Sequence, residues 1–122
     1  KKHIKKPAEK RLISFNDENG KIKFSVLAKD LVFLESTDNY VSVHYILEGK
    51  MQRKLLRNTL KNMEEMLHKN ATIRCHRSFM VNTKNVEFVQ KDGKKLNIKV
   101  KQFEKFIPVS QKYSSLFLDF IT

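Results

Sequence analysis

A disulfide, a membrane span and a metal cluster are all beyond the means of this 122-residue sequence. Its single cysteine, Cys75, excludes an internal disulfide and suits a reducing, cytoplasmic compartment. The longest apolar runs, such as Leu31 to Leu34 and Leu116 to Leu118, fall far short of the roughly 20 residues that cross a bilayer. One cysteine and the scattered His3, His44, His68 and His76 give no ligand pair at zinc spacing, so neither metal nor cofactor is expected. Asn16-Asp17-Glu18-Asn19-Gly20 looks superficially like a calcium loop, but Ala28 or Lys29 stands where the closing acid belongs, and a hairpin turn explains it better. Catalytic sets are equally thin. Cys75 and His76 are neighbours, which on an extended segment point apart, and His76 with Ser78 lacks a third group, so no enzyme is expected.

Acidic residues are scarce too. Lys and Arg number 25 against 13 Asp and Glu, a formal net charge of +12. Such an excess can simply keep a domain soluble, or it can draw the chain to nucleic acid. Its distribution favours the second reading, because Lys50 to Lys112 holds sixteen basic residues and only five acidic ones. The opening carries Lys1, Lys2, Lys5, Lys6, Lys10 and Arg11 with Pro7 and no apolar segment after them. Residues 1–10 therefore read as a solvated basic linker from a longer chain, and residues 11–122 as one domain.

Within that domain, strand signals outnumber helix signals. Ile22, Phe24 and Val26 alternate with polar residues, as do Leu96, Ile98 and Val100. Asn19-Gly20 separates Leu12–Phe15 from Ile22–Val26, and Asp92-Gly93 separates Val86–Val89 from Leu96–Val100, which predicts two hairpins. Glu48-Gly49 marks a third, between Tyr40–Leu47 and Met51–Leu56. One helix is expected near 58–67, with Asn58 or Thr59 as N-cap and Leu60, Met63 and Leu67 on its dry face. A second follows Pro108, with Ser110 as cap and a stripe of Tyr113, Leu116, Phe117 and Phe120. The fold expected is mainly β, antiparallel and hairpin-rich, with two short α-helices.

The densest chemistry lies in Arg74-Cys-His-Arg-Ser-Phe-Met-Val-Asn82, where two guanidiniums, an imidazole, a hydroxyl and an amide surround apolar anchors. These are the side chains that grip phosphates and read base edges. Together with Leu31-Val-Phe-Leu-Glu-Ser-Thr-Asp-Asn-Tyr-Val41, Leu56-Arg-Asn-Thr-Leu60 and Ile107-Pro-Val-Ser-Gln-Lys-Tyr113, this segment resembles the four signature blocks of the LytTR family of bacterial DNA-binding domains, in the right order and over about residues 11 to 120.

The resemblance implies a transcription regulator, the output domain of a response regulator, whose loops rather than a recognition helix enter successive major grooves of double-stranded DNA. It assigns base reading to Asn39 or Tyr40, beside Asp38, and to Arg77, with Asn suited to adenine and Arg to guanine. The last block usually carries a basic reader directly after its serine. Here Gln111 fills that place, which shifts the preference from guanine towards adenine unless Lys112 takes over with a phosphate contact. His76, Ser78 and Asn82 would hold phosphates or fix the loop. Arg57, Arg74, Lys84 and Lys54 would supply salt-dependent attraction to the backbone. Dimerisation on paired sites is expected, as is an upstream receiver or membrane-embedded sensor, the latter of which would tether the domain to a membrane.

Duller readings stand beside these. Asn39 is a natural turn residue, Tyr40 and the Phe79–Val81 run suit a core, Arg57 suits an ion pair with Glu64 or Glu65, and His44 suits a local hydrogen bond. Cys75 is either a buried thiol or, if exposed among Arg74, His76 and Arg77, a redox switch. A single-stranded nucleic-acid or RNA module would use Phe79, Tyr40 and Tyr45 as stacking platforms. A module for acidic lipid or protein would rest on the basic opening.

Overall fold

Turn chemistry sets the local architecture. The computed structural model describes residues 11–121, so the basic opening lies outside the described residues. Asn19-Gly20 folds β1 (Leu12–Asn16) back on β2 (Ile22–Leu27), with Gly20 at φ 83°. The Asp17 carboxylate accepts the amides of Asn19 and Lys21 at 2.9 and 3.0 Å, so this acidic loop closes on itself as a hairpin turn. Glu48 and Gly49, at φ 52° and 77°, join β4 (Tyr40–Leu47) to β5 (Lys50–Leu56) in a two-residue turn whose positive angles match the twist of the strands. Around Gly93, β8 (Val86–Asp92) pairs with β9 (Lys95–Val100); pairing runs on to Asp92 and Lys95, beyond the expected limits.

The centre of the molecule is a five-stranded antiparallel sheet, in which β3 (Leu31–Thr37), β6 (Thr72–His76) and β7 (Phe79–Asn82) complete the order β5-β4-β3-β7-β6. A bulge at Val32 in β3 decides how its two faces are used. The extra residue breaks strict alternation, so Leu31 and Leu34 enter one core while the adjacent Val32 and Phe33 enter the other. On the first face the β1–β2 hairpin packs Ile13, Phe15 and Val26 against α1 (Leu60–Met66), which brings Leu60 and Met63, with Leu67 just beyond its end. On the second face lie β8, β9 and β10 (Ile107–Val109), with Phe117 of α2 (Gln111–Ile121) completing the core. The fold is thus mainly β and antiparallel, as expected, with two short helices. No helix among the described residues is long and apolar enough to cross a membrane.

Both helix starts have identifiable tethers. Thr59 Oγ1 accepts the amide of Asn62 at 3.2 Å, which makes Thr59 the N-cap of α1. Asn58 serves differently. It is buried, donates to the Asn16 carbonyl at 2.8 Å and accepts from Asn62 Nδ2 at 2.7 Å, tying the helix to β1. Ser110 holds α2 through its backbone, donating to the Cys75 carbonyl and accepting from the Tyr113 amide, both at 2.9 Å. The buried stripe of α2 is Tyr113, Phe117 and Ile121, spaced by four. Leu116 and Phe120, which the sequence pattern placed in that stripe, are 55% and 48% exposed, because the helix docks along its 113–117–121 line.

Burial decides between the two readings of Cys75 and corrects the local hydrogen bond expected of His44. Cys75 is fully buried in the second core, and desolvation raises its thiol pKa to about 12 against the opposing pull of Arg74, so it is no thiolate-prone switch. His44 makes no hydrogen bond at Nε2, which is buried and unpartnered. Its ring instead stacks on Phe33, with centroids 4.0 Å apart and planes 8° apart. Burial, and then Arg53 across the strand pair, lowers the His44 pKa to about 4.

Candidate nucleic-acid interface

Strand order brings the predicted readers to one end of the central sheet. The β3–β4 turn, Asp38-Asn39, lies beside the β6–β7 turn, Arg77-Ser78, because β3 pairs with β7 and the Ser36 amide donates to the Ser78 carbonyl at 2.9 Å. From the usual spacing of strands these two turns stand roughly 10 Å apart. At the end of β5, Arg57 places its guanidinium 5.6 Å above the Tyr40 ring. Beyond β6, the bond from Ser110 to Cys75 sets the first turn of α2, with Gln111 and Lys112, against the same end. Asn39, Tyr40, Arg57, Arg77, Gln111 and Lys112 are all exposed there.

The β6–β7 turn is held from beneath. Arg74 Nε donates to the His76 carbonyl at 2.9 Å, Nη2 to the Arg77 carbonyl at 2.8 Å, and Nη1 to Glu64 Oε2 on α1 at 2.8 Å. One planar fork thus grips two successive carbonyls and a carboxylate. Arg74 is therefore committed to shaping the turn, where the sequence pattern has it facing phosphate. His76 helps in the same way: its Nδ1 accepts the Ser78 amide at 3.0 Å, which requires that nitrogen to be unprotonated. Burial first, then Arg77 and Arg74, lower its pKa and favour that neutral form. Of the two roles left open for His76, fixing the loop is the one its geometry serves. Arg77 itself gives only its carbonyl to this scaffold, and its guanidinium meets no carboxylate among the described residues. The local backbone is unusual as well, since Asp38 sits at φ 54°, a left-handed conformation that Asp tolerates better than most residues.

Two predicted backbone contacts leave the interface. Asn82, 4% exposed, lies at the far end of β7, where Nδ2 donates to the carbonyls of Leu31 at 2.7 Å and Ala28 at 3.2 Å and Oδ1 accepts the Lys84 amide at 3.0 Å. Its polar atoms are consumed inside the protein, so it fixes a loop and cannot reach phosphate. Lys84 follows on that same far end, a strand's length from Arg77. Arg57 takes its ion pair from Glu18, at 2.8 Å, rather than from Glu64 or Glu65. Lys54 lies 5.9 Å from the Phe24 ring on the hairpin side, and Lys112 lies 5.4 Å from the Tyr113 ring. Of the three stacking platforms expected for a single strand, Tyr40 is 38% exposed, whereas Phe79 and Tyr45 are partly buried against the two cores.

Sequence reasoning missed the clamp made by Arg74 with Glu64. No alternation announces it, because Cys75 is an extra residue in the β6–β7 pairing that sets Arg74 opposite Met80 and His76 opposite Phe79, and the turn that follows contains neither Gly nor Pro.

Comparison with known proteins agrees with this architecture. Residues 9–122 match the model of the LytTr DNA-binding domain family. Among solved structures, the LytTr DNA-binding domain of a Bacillus cereus protein described as a putative methyl-accepting/DNA response regulator aligns with a TM-score of 0.68 and 26% identity, over 92% of this chain and 97% of that one. No curated protein matches the sequence significantly. With nearly its whole length matched and its fold shared, this chain belongs to the LytTr family of DNA-binding domains.

Proposed function

We propose that this domain reads double-stranded DNA in the major groove with the Asp38-Asn39 turn, the Arg77-Ser78 turn and the start of α2, as the output domain of a bacterial transcription regulator. The observation that carries this reading is the convergence of Asn39, Arg77 and Gln111, each exposed, on one end of the central sheet. The Arg77 fork suits guanine O6 and N7, and the Asn39 and Gln111 amides suit adenine N6 and N7. Arg57, Lys112 and the Ser78 hydroxyl surround them and are suited to phosphate. Arg74 and His76 act beneath, holding the turn in the shape that presents Arg77. The reading includes occupancy of paired sites by a dimer and control by an upstream receiver or sensor region.

Selection of duplexes from a random pool tests it. The expected result is an enriched motif with guanine and adenine positions, repeated at a spacing close to one helical turn. A pool that remains random after selection, or a preference for single strands over duplex, would sink the proposal.

A further inference from the structure

Opposite the reading turns, the far end of the central sheet holds a cavity of about 530 Å³, in the size range of small-molecule sites. Five cationic side chains line it, Arg11, Lys29, Lys69, Lys84 and Lys101, against a single carboxylate, Asp30, which Lys29 already engages at 3.3 Å. The other four cations meet no carboxylate among the described residues. Segments far apart in sequence deliver them: the start of β1, the 28–30 turn, the 69–71 connection and the residues just after β7 and β9.

The floor beneath these charges is preformed. Thr72, Asn82 and Asn85 line it and are each 4% exposed. Asn82 and Asn85 both donate to the Leu31 carbonyl, at 2.7 and 2.6 Å, and Asn85 also donates to the Lys29 carbonyl at 2.9 Å. The concavity therefore needs no ligand to hold its shape, and a ligand entering it loses little to ordering the protein. A recess of this size suits a small ligand better than a duplex, whose backbone is convex. The seven residues of β3 separate the cavity from the reading turns by roughly 20 Å, more than about two Debye lengths at physiological salt. A charge bound here is thus screened from DNA bound there.

We propose that this cavity is a second binding site, for a small phosphorylated anion. Phosphate suits it because convergent ammonium and guanidinium groups neutralise multiple negative charges, while the apolar lining of Ile13 and Ile46 accommodates whatever carries the phosphate. The site does not depend on how DNA is read, and the two can be tested separately on the same sample.

The probe is inorganic pyrophosphate, titrated into the 122-residue chain while its amide resonances are followed. Saturable shifts are expected at residues 28–31, 69–72 and 82–85, with the turns at 38–39 and 77–78 unmoved, and sodium sulfate at equal ionic strength should not reproduce them. Lys69→Glu combined with Lys101→Glu changes two exposed residues, so the fold is retained, as the amide spectrum checks. That variant should bind pyrophosphate at least about tenfold more weakly and duplex DNA as before. Shifts that do not saturate, shifts confined to the reading turns, sulfate giving the same pattern, or a double variant that binds like the parent would each overturn the proposal.

Discussion

The two ends of the central sheet solve opposite problems with similar side chains. At the far end, Asn82 and Asn85 turn inward and their amides converge on the Leu31 carbonyl beside the Val32 bulge. At the reading end, Asn39 and Arg77 sit on tight turns with exposed side chains, and the bonding beneath is assigned to Arg74, His76 and Glu64. The difference teaches that residue type alone does not mark a contact with DNA. The contacts proposed are the polar side chains that the backbone around them leaves unengaged.

The largest break in that contrast should come from Asn82→Ala. It removes three hydrogen bonds, to the Ala28 and Leu31 carbonyls and from the Lys84 amide, each worth about 1 kcal/mol, so a loss of about 3 kcal/mol is expected in urea unfolding. Discrimination between preferred and random duplex should stay unchanged below the unfolding transition. Arg77→Ala should do the reverse: stability moves by less than about 0.5 kcal/mol, while affinity for the preferred duplex falls by about 1–3 kcal/mol and affinity for random duplex falls much less. Equal losses on both duplexes would reduce Arg77 to a phosphate contact.

Arg74→Gln sharpens the comparison, since it tests support without touching the presenting side chain. The turn loses its fork, so both stability and specific affinity should fall, by about 1–2 kcal/mol each. Glu64→Gln should cause a smaller loss of both, because the two carbonyl bonds survive. A fall in affinity with no change in stability would instead place the Arg74 side chain on the DNA.

A separate effect, away from either end, is pH dependence from His44. Its folded pKa, about 4, lies below the ordinary 6.5, so the unfolded chain takes up the proton first as pH drops. Stability from this source is complete above pH 6.5 and declines between 6.5 and 4. His44→Phe keeps the stack on Phe33 and should flatten that portion of the unfolding curve relative to the parent, with carboxylate titration common to both.

Much of this could be read before any coordinates. Asn19-Gly20, Glu48-Gly49 and Asp92-Gly93 announce hairpins because positive φ angles restrict the residues that can stand there. The Arg77-Ser78 turn carries no such mark, as its stability comes from His76 and Arg74 reaching its backbone, contacts that exist only once the strands pair. The same gap explains the misplaced stripe of α2: Leu116 and Phe120 fit an apolar pattern, but docking against β6 and the second core selects Tyr113, Phe117 and Ile121. Lys84, expected among the cations that attract the DNA backbone, stands at the opposite end from Arg77, because the run of β7 carries the chain there. The chemistry of the site was legible in residue types, while the direction each side chain points was not.

Amide mapping of the chain with its selected duplex would test the central claim most directly. The account predicts that the strongest perturbations fall on residues 36–40, 76–79 and 110–113, with residues 28–31 and 82–85 quiet. Strong perturbation at 28–31 and 82–85, with the turns unchanged, would contradict it.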